Sequence, residues 1–368
     1  MIKVLTFLGT LFILSIYPTF GQLQPGFIQE EYLEILGVFT QGLPDSLQGS
    51  IPRPVNFTKA YESPTVGLEN KWALWIDEEK KQALVAIRGT IQHPTSWLAN
   101  FYAAMIPAKG RIKIREDYNF DYNFSEHPQA GVHAGWALAT GSLAETILPK
   151  IDSLITQGYM DFIVTGHSQG GAITYLVNMM LQQMKKQGRW QSDIRIKSYA
   201  SAAPKPGNLF FAYDYEQTNS GGWAFNVVNT ADWVPQVPFS IQTTEDFSQT
   251  NPFGNIKPLI HKQKFPKNLL FKTVYNRLDK PTKRSKKNFQ KYLGTFQEKQ
   301  VVKVLPDFEG PGYLDSNHFS RAGDFIILVP DADYAEKFPD EEGKIFRHHM
   351  FIPYFDLFLK QFAVQTYE

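Results

Sequence analysis

Cysteine is absent from all 368 residues. That single absence excludes disulfides, lipid attachment through a cysteine, thiol catalysis and cysteine metal sites together. An excess of one charge is lacking too. Lys plus Arg number 37 against 36 for Asp plus Glu, a net charge of +1, so nothing global points to a nucleic-acid partner. There is no internal repeat and no polar low-complexity block. Neither an H-E-x-x-H pattern nor an aspartate-rich loop occurs, so the sequence calls for no metal and no cofactor. Beyond residue 21 no apolar run is long enough to span a bilayer. What is present is a globular composition, 43% hydrophobic and 20% charged. Such a chain, unable to use disulfides, is held by its core.

The first residues differ from the rest. Lys3 supplies a positive charge, Val4 to Tyr17 is an almost unbroken apolar run, and Thr19 and Gly21 are small residues where a signal peptidase reads. The pattern predicts a signal peptide over residues 1–21, cleaved near Gly21/Gln22, and export to the periplasm or the extracellular space. Residues 22–368 are then expected to form a single α/β domain with a basic insertion at about 241–310.

Ile163 to Gly171, "IVTGHSQGG", sets Ser168 between two glycines at the end of an apolar run. A bare G-x-S-x-G occurs by chance in roughly one chain in eight of this length, so its surroundings decide. Upstream, Asp161 to Thr165 reads as a short buried strand. Downstream, Ile173, Leu176, Val177, Met180, Leu181 and Met184 form one helical face, which Lys185, Lys186 and Gly188 close. Strand, serine turn and helix together make a nucleophile elbow. Gly166 and Gly170 remove side chains where the two backbones press together, and the helix start aims its amides at the serine. The backbone N–H of Gln169 is thus one expected oxyanion donor. A nucleophilic serine needs a base, and the base an orienting acid. A strand candidate at Phe225 to Asn229 runs into "TADWVPQVP", so Asp232 sits just past a strand end on the same sheet edge as Ser168. Of the eight histidines, only His261, His318, His348 and His349 follow Asp232. The last two lie on a loop-to-helix step where this order of residues delivers its base, and the local pattern leaves them both open.

Five blocks in register resemble the class 3 (fungal-type) lipases of the α/β-hydrolase superfamily: "VAIRGT" at Val85 to Thr90, followed by Trp97; "VHAGW" at Val132 to Trp136; the elbow; "APKPGN" at Ala203 to Asn208; and "NTADWVPQVP" at Asn229 to Pro238. The likeness covers roughly residues 65 to 240 and resumes near Phe319 to Pro330. It implies an α/β-hydrolase fold, a mostly parallel central sheet flanked by helices, with a helical or irregular insertion before the catalytic histidine. It also implies a second oxyanion residue at Thr90, a structural role for His133, and His349 as the base, because His349 precedes Tyr354 by the interval seen in relatives. Two departures stand out. Gln169 occupies a position where the family has leucine, and the stretch between Asp232 and His349 is unusually long.

The expected activity is a carboxylic ester hydrolase, a lipase or esterase, with Ser168, Asp232 and His349 as triad. A phospholipase or acyltransferase would use the same triad, and a protein that kept the fold but lost the chemistry is the reading from another class. Lipid or another acyl ester is the expected substrate. A basic stretch from Lys257 to Lys303 contains "KNLLFKTVYNRLDK", which sets Leu270, Phe271, Val274, Tyr275 and Leu278 on one helical face. That stretch is a candidate for peripheral contact with a lipid surface.

Overall fold

The computed structural model describes residues 22–190, 193–248, 250–253 and 256–362. The signal-peptide expectation for residues 1–21 therefore lies outside the described residues.

Seven strands build the central sheet, and their order across it is their order along the chain: Thr58–Glu62, Trp72–Asp77, Gln82–Ile87, Asp161–His167, Arg195–Ser201, Ala224–Asn229 and Asp324–Leu328. The first three pair antiparallel and the remaining pairings are parallel. Every residue of Asp161–His167 and Ala224–Asn229 is buried, as strands covered by helices on both faces must be. This is the α/β fold class the sequence implied.

Side chains alternate between the two faces. Ala83, Val85, Phe162 and Val164 join one core with the helices Ala134–Thr156 and Gln169–Lys186. Leu84, Ile163 and Tyr199 point the other way, into a second core with Gln29–Thr40 and Phe351–Phe362. The chain ahead of the first helix is stitched to the sheet. Leu23 N–H donates to Asp161, and the fully buried Lys197 reaches the Gln24 carbonyl and the Glu31 carboxylate, both within 3 Å.

The insertion is helical. Ile256–His261 leads to a long helix, Lys267–Gln290, then a wider turn at Lys291–Thr295 and the helix Phe296–Val304. Lys286 clamps the long helix by ion pairs to Glu245 and Asp315, and Phe289 is buried against Ala103, Met105 and Phe319. The earlier turns are different. Leu270, Phe271, Val274 and Leu278 are all exposed, so this apolar face does not pack on the body. Phe271, Val274 and Leu278, with Phe253 and Leu259, line an apolar groove of ≈ 640 Å³ that Ser168, Asp232 and His349 do not line. Among the described residues no helix is long and apolar enough to cross a membrane.

Candidate active site

Three strand ends converge on one edge of the sheet. Gln82–Ile87 ends three residues before Thr90, Asp161–His167 ends at Ser168, and Ala224–Asn229 ends three residues before Asp232. Crevices for ligands open at such carboxyl edges.

Ser168 has φ 62° and ψ −129°, a left-handed conformation that a non-glycine residue adopts only under constraint. The constraint is visible in the two glycines. A Cβ at Gly166 would lie 2.3 Å from the Gly170 carbonyl carbon, and one at Gly170 would lie 2.2 Å from the Ile87 carbonyl oxygen. Any side chain at either position would push the helix Gln169–Lys186 off the sheet. The chain just ahead of Thr90 passes beside the same turn, where a Cβ on Gly89 would sit 3.6 Å from Ser168 Cβ. Helix Gln169–Lys186 opens directly after the serine, so its first amides have no intrahelical partner.

Asp232 is 2% exposed, and each of its carboxylate oxygens is used. Oδ1 accepts from Val234 N–H at 2.9 Å. Oδ2 accepts from the Tyr354 hydroxyl at 2.8 Å and pairs with His349 Nδ1 at 2.7 Å. His349 sits at the end of the single 3₁₀ turn Arg347–His349, immediately before the last helix. With Nδ1 on the carboxylate, its Nε2 is the nitrogen left for chemistry. His348 turns elsewhere: Nδ1 meets the Tyr334 hydroxyl at 2.8 Å and Nε2 meets Asp340 at 3.1 Å. The structure thus brings His349, and not His348, to Asp232.

Thr90 and Gln169 share one neighbour that sequence reasoning missed. Asn100, near the end of helix Pro94–Phe101, donates through Nδ2 to Thr90 Oγ1 at 2.9 Å. Its Oδ1 accepts from Gln169 Nε2 at 2.9 Å and from the Trp136 indole at 3.1 Å. An indole N–H can only donate, so Trp136 fixes which end of the amide is oxygen. Thr90 Oγ1 then receives a hydrogen bond and keeps its own hydrogen free. The glutamine that departs from the family's leucine is therefore a buried member of a polar network, and it also donates to the Ser96 carbonyl at 3.1 Å. His133 caps the helix Ala134–Thr156, accepts from Trp136 N–H and stacks on the Trp136 ring at 3.6 Å. Burial pushes its pKa down to about 3, so it is neutral.

Aromatic rings cluster beside His349. Phe346 lies 6.0 Å from Trp97, 5.3 Å from Trp233 and 5.9 Å from the His349 ring. Phe101 and Phe239 are more than half exposed nearby in sequence to these elements. Among the described residues no group of three or more His, Asp or Glu is arranged to hold a metal ion.

The family model described as lipase (class 3) matches residues 84–242. Over that segment the chain is similar to the class 3 lipases. Among curated proteins, the chain is 28% identical over 164 residues to a secreted mono- and diacylglycerol lipase 1 of Fusarium solani, covering 44% of this chain and 41% of that protein. It is 33% identical over 122 residues to a lipase of Rhizopus niveus, covering 32% and 30%. The chain thus spans less than half the length of either relative. Among solved structures, lipase II from Rhizopus niveus aligns at a TM-score of 0.42 with 22% identity, covering 57% of this chain and 75% of that one. The class 3 segment contains Thr90, Ser168 and Asp232. His349, Tyr354 and the long basic helix lie beyond its end, so their relation to it is a matter of tertiary contacts.

Tyr354 and Asn100 carried no local signal of their role. Each is an ordinary helix residue in sequence, and each is defined by partners 122 and 10 residues away.

Proposed function

We propose that this protein is a serine carboxylester hydrolase of the lipase type. Ser168 Oγ attacks the ester carbonyl carbon while His349 Nε2 takes its proton. Asp232 holds the imidazole in the tautomer that leaves Nε2 bare, and stabilises the imidazolium once formed. The N–H groups of Gln169 and Thr90, with the free Thr90 hydroxyl hydrogen, stabilise the tetrahedral oxyanion. The imidazolium returns its proton to the departing alcohol, and water then releases the acid by the same steps in reverse. The observation that carries this reading is the buried 2.7 Å contact between Asp232 and His349. The two residues lie 117 positions apart and meet on the edge where Ser168 is held at positive φ. The aromatic cluster of Trp97, Trp233 and Phe346 suits an acyl chain, and the relatives' names as lipases agree with that substrate class.

The test is an ester series from acetate to long-chain triglyceride, together with a fluorophosphonate probe. Wild type is expected to hydrolyse esters and take the label, and Ser168→Ala to do neither. Equal labelling of both would remove Ser168 from the mechanism.

The export of the mature chain from Gln22 onward belongs to the same proposal, supported by the sequence pattern of residues 1–21 and by the word "secreted" in a relative's name. So does contact with a lipid surface through the insertion. Helix Lys267–Gln290 exposes Leu270, Phe271, Val274 and Leu278 together with the cations Lys267, Lys272, Arg277 and Lys280. An apolar stripe with cations beside it is suited to lie in the headgroup region of an anionic bilayer. Sedimentation with vesicles should show binding that rises with anionic lipid and falls with salt. Binding indifferent to both would dismiss the idea.

A further inference from the structure

Four buried groups stand in line from the first helix to the backbone of His349. The Tyr32 hydroxyl, on helix Gln29–Thr40, is 2.8 Å from Ser201 Oγ. Ser201 Oγ is 3.0 Å from His167 Nδ1, and His167 Nε2 is 2.8 Å from the His349 carbonyl oxygen. Tyr32 and Ser201 have no exposure and His167 has 6%.

Chemistry fixes the direction of each hydrogen in this line. A carbonyl oxygen only accepts, so His167 Nε2 carries a proton and donates it. In the neutral ring Nδ1 is then bare and accepts from Ser201. Ser201 has one hydroxyl hydrogen, already directed at His167, so its oxygen accepts from Tyr32. Burial keeps the members in these states: it lowers the His167 pKa to about 3 and raises that of the Tyr32 hydroxyl well beyond its usual value. One tautomer of His167 satisfies the whole line.

We propose that His167 is a positioning residue for the base: its Nε2–H holds the His349 carbonyl, in a tautomer that Ser201 and Tyr32 set. The inference rests on the hydrolase reading above. His349 ends a turn of only three residues, in which its N–H donates to the Phe346 carbonyl at 3.0 Å and the neighbouring His348 carbonyl accepts from Asn229 Nδ2 at 3.0 Å. The His167 contact adds an anchor on the carbonyl of His349 itself, from 182 residues away. His167 is also covalently next to Ser168, so this bond ties the backbone of the base to the strand that carries the nucleophile. The His167 and His349 rings lie 4.8 Å apart, and a shift of one is felt by the other. Tyr32 lies outside the class 3 segment, so the line gives the first helix a part in the site.

The experiment measures kcat and KM on a soluble short-chain ester, with the full chain and its variants. His167→Ala is expected to lower kcat about 100-fold with KM changed less than about twofold, as a misplaced base would. His167→Gln, whose amide nitrogen can reach the same carbonyl, should recover about tenfold of that loss. Tyr32→Phe should lower kcat about threefold alone and add nothing to His167→Ala, because the line is already cut. An unchanged kcat in His167→Ala would overturn the proposal, as would a glutamine variant no better than alanine or a fully additive Tyr32 effect. If circular dichroism shows His167→Ala unfolded, His167→Gln and Tyr32→Phe carry the test, and wild-type kcat in both overturns it. Fluorophosphonate labelling separates the two levels. Wild type that takes no label removes the hydrolase reading and this one with it. Labelled wild type with indifferent His167 variants removes this one alone.

Discussion

His349→Ala is expected to lower kcat for ester hydrolysis by about five orders of magnitude, the scale seen when a triad base is removed, while His348→Ala stays within about threefold of wild type. The two neighbours differ because their ring nitrogens are committed differently. His349 Nδ1 lies 2.7 Å from Asp232 Oδ2, which leaves Nε2 for the proton transfer proposed above. Both nitrogens of His348 are engaged, with Tyr334 and with Asp340. Its carbonyl accepts from Asn229 Nδ2 at 3.0 Å, which fixes the backbone in that orientation. His348 therefore cannot substitute for its neighbour by rotating. Steady-state kinetics on a short-chain ester, with near-ultraviolet circular dichroism to verify packing, checks the pair. If His348→Ala proved the dead variant, the base would have to be moved by one residue. If both retained activity, the triad would be abandoned.

Asp232→Asn should lower kcat by about 10⁴-fold with the fold intact. The change is nearly isosteric, so packing around this buried group is preserved, and the loss comes from the direction of hydrogen bonds. Asp232 accepts three of them, from Val234 N–H, the Tyr354 hydroxyl and His349. An asparagine has one oxygen for these donors. If that oxygen faces Val234, its NH₂ group faces His349 and forces Nδ1 to accept. The ring's proton then moves to Nε2, where it blocks transfer from Ser168. If the amide is turned the other way, its NH₂ group meets the Val234 N–H, donor against donor, and a buried group is left without a partner. Either arrangement is costly, and the first abolishes the base. Hydrolysis rates with a thermal melt of each protein decide it. A variant that keeps wild-type kcat would mean that Asp232 does not orient the base.

Local sequence carried much of the fold. The short β-favouring run Asp161 to Thr165, two glycines about a serine, and apolar residues three and four apart through Met184 are signals contained within one stretch of chain. The strand Asp161–His167 runs two residues past that reading, and helix Gln169–Lys186 starts four residues before its first apolar position, directly after the serine. The insertion was legible in the same way: the face of Leu270, Phe271, Val274 and Leu278 is helical, as its spacing predicts. Its helix runs on to Gln290, beyond the Lys280 limit of the amphipathic pattern, because Lys283 and Lys286 find acidic partners at Glu245, Asp279 and Asp315. Asp279 lies within the same helix, but Glu245 and Asp315 are distant in sequence, and no window around the helix contains them all.

By itself the sequence determined the element types, the elbow, the order of serine, aspartate and histidine along the chain, and the resemblance that implied Thr90 and His349. Each depends on neighbours within a few residues or on blocks recurring in a known order. The tertiary structure alone decided which imidazole meets Asp232, that Tyr354 shares its carboxylate, and that Asn100 joins Thr90 to Gln169. It alone runs a directed hydrogen-bond line from Tyr32 to the His349 backbone. A hydrogen bond needs its two atoms within about 3 Å at a suitable angle. Residues 182 positions apart acquire that proximity only when strands, helices and insertion have packed around the same sheet edge.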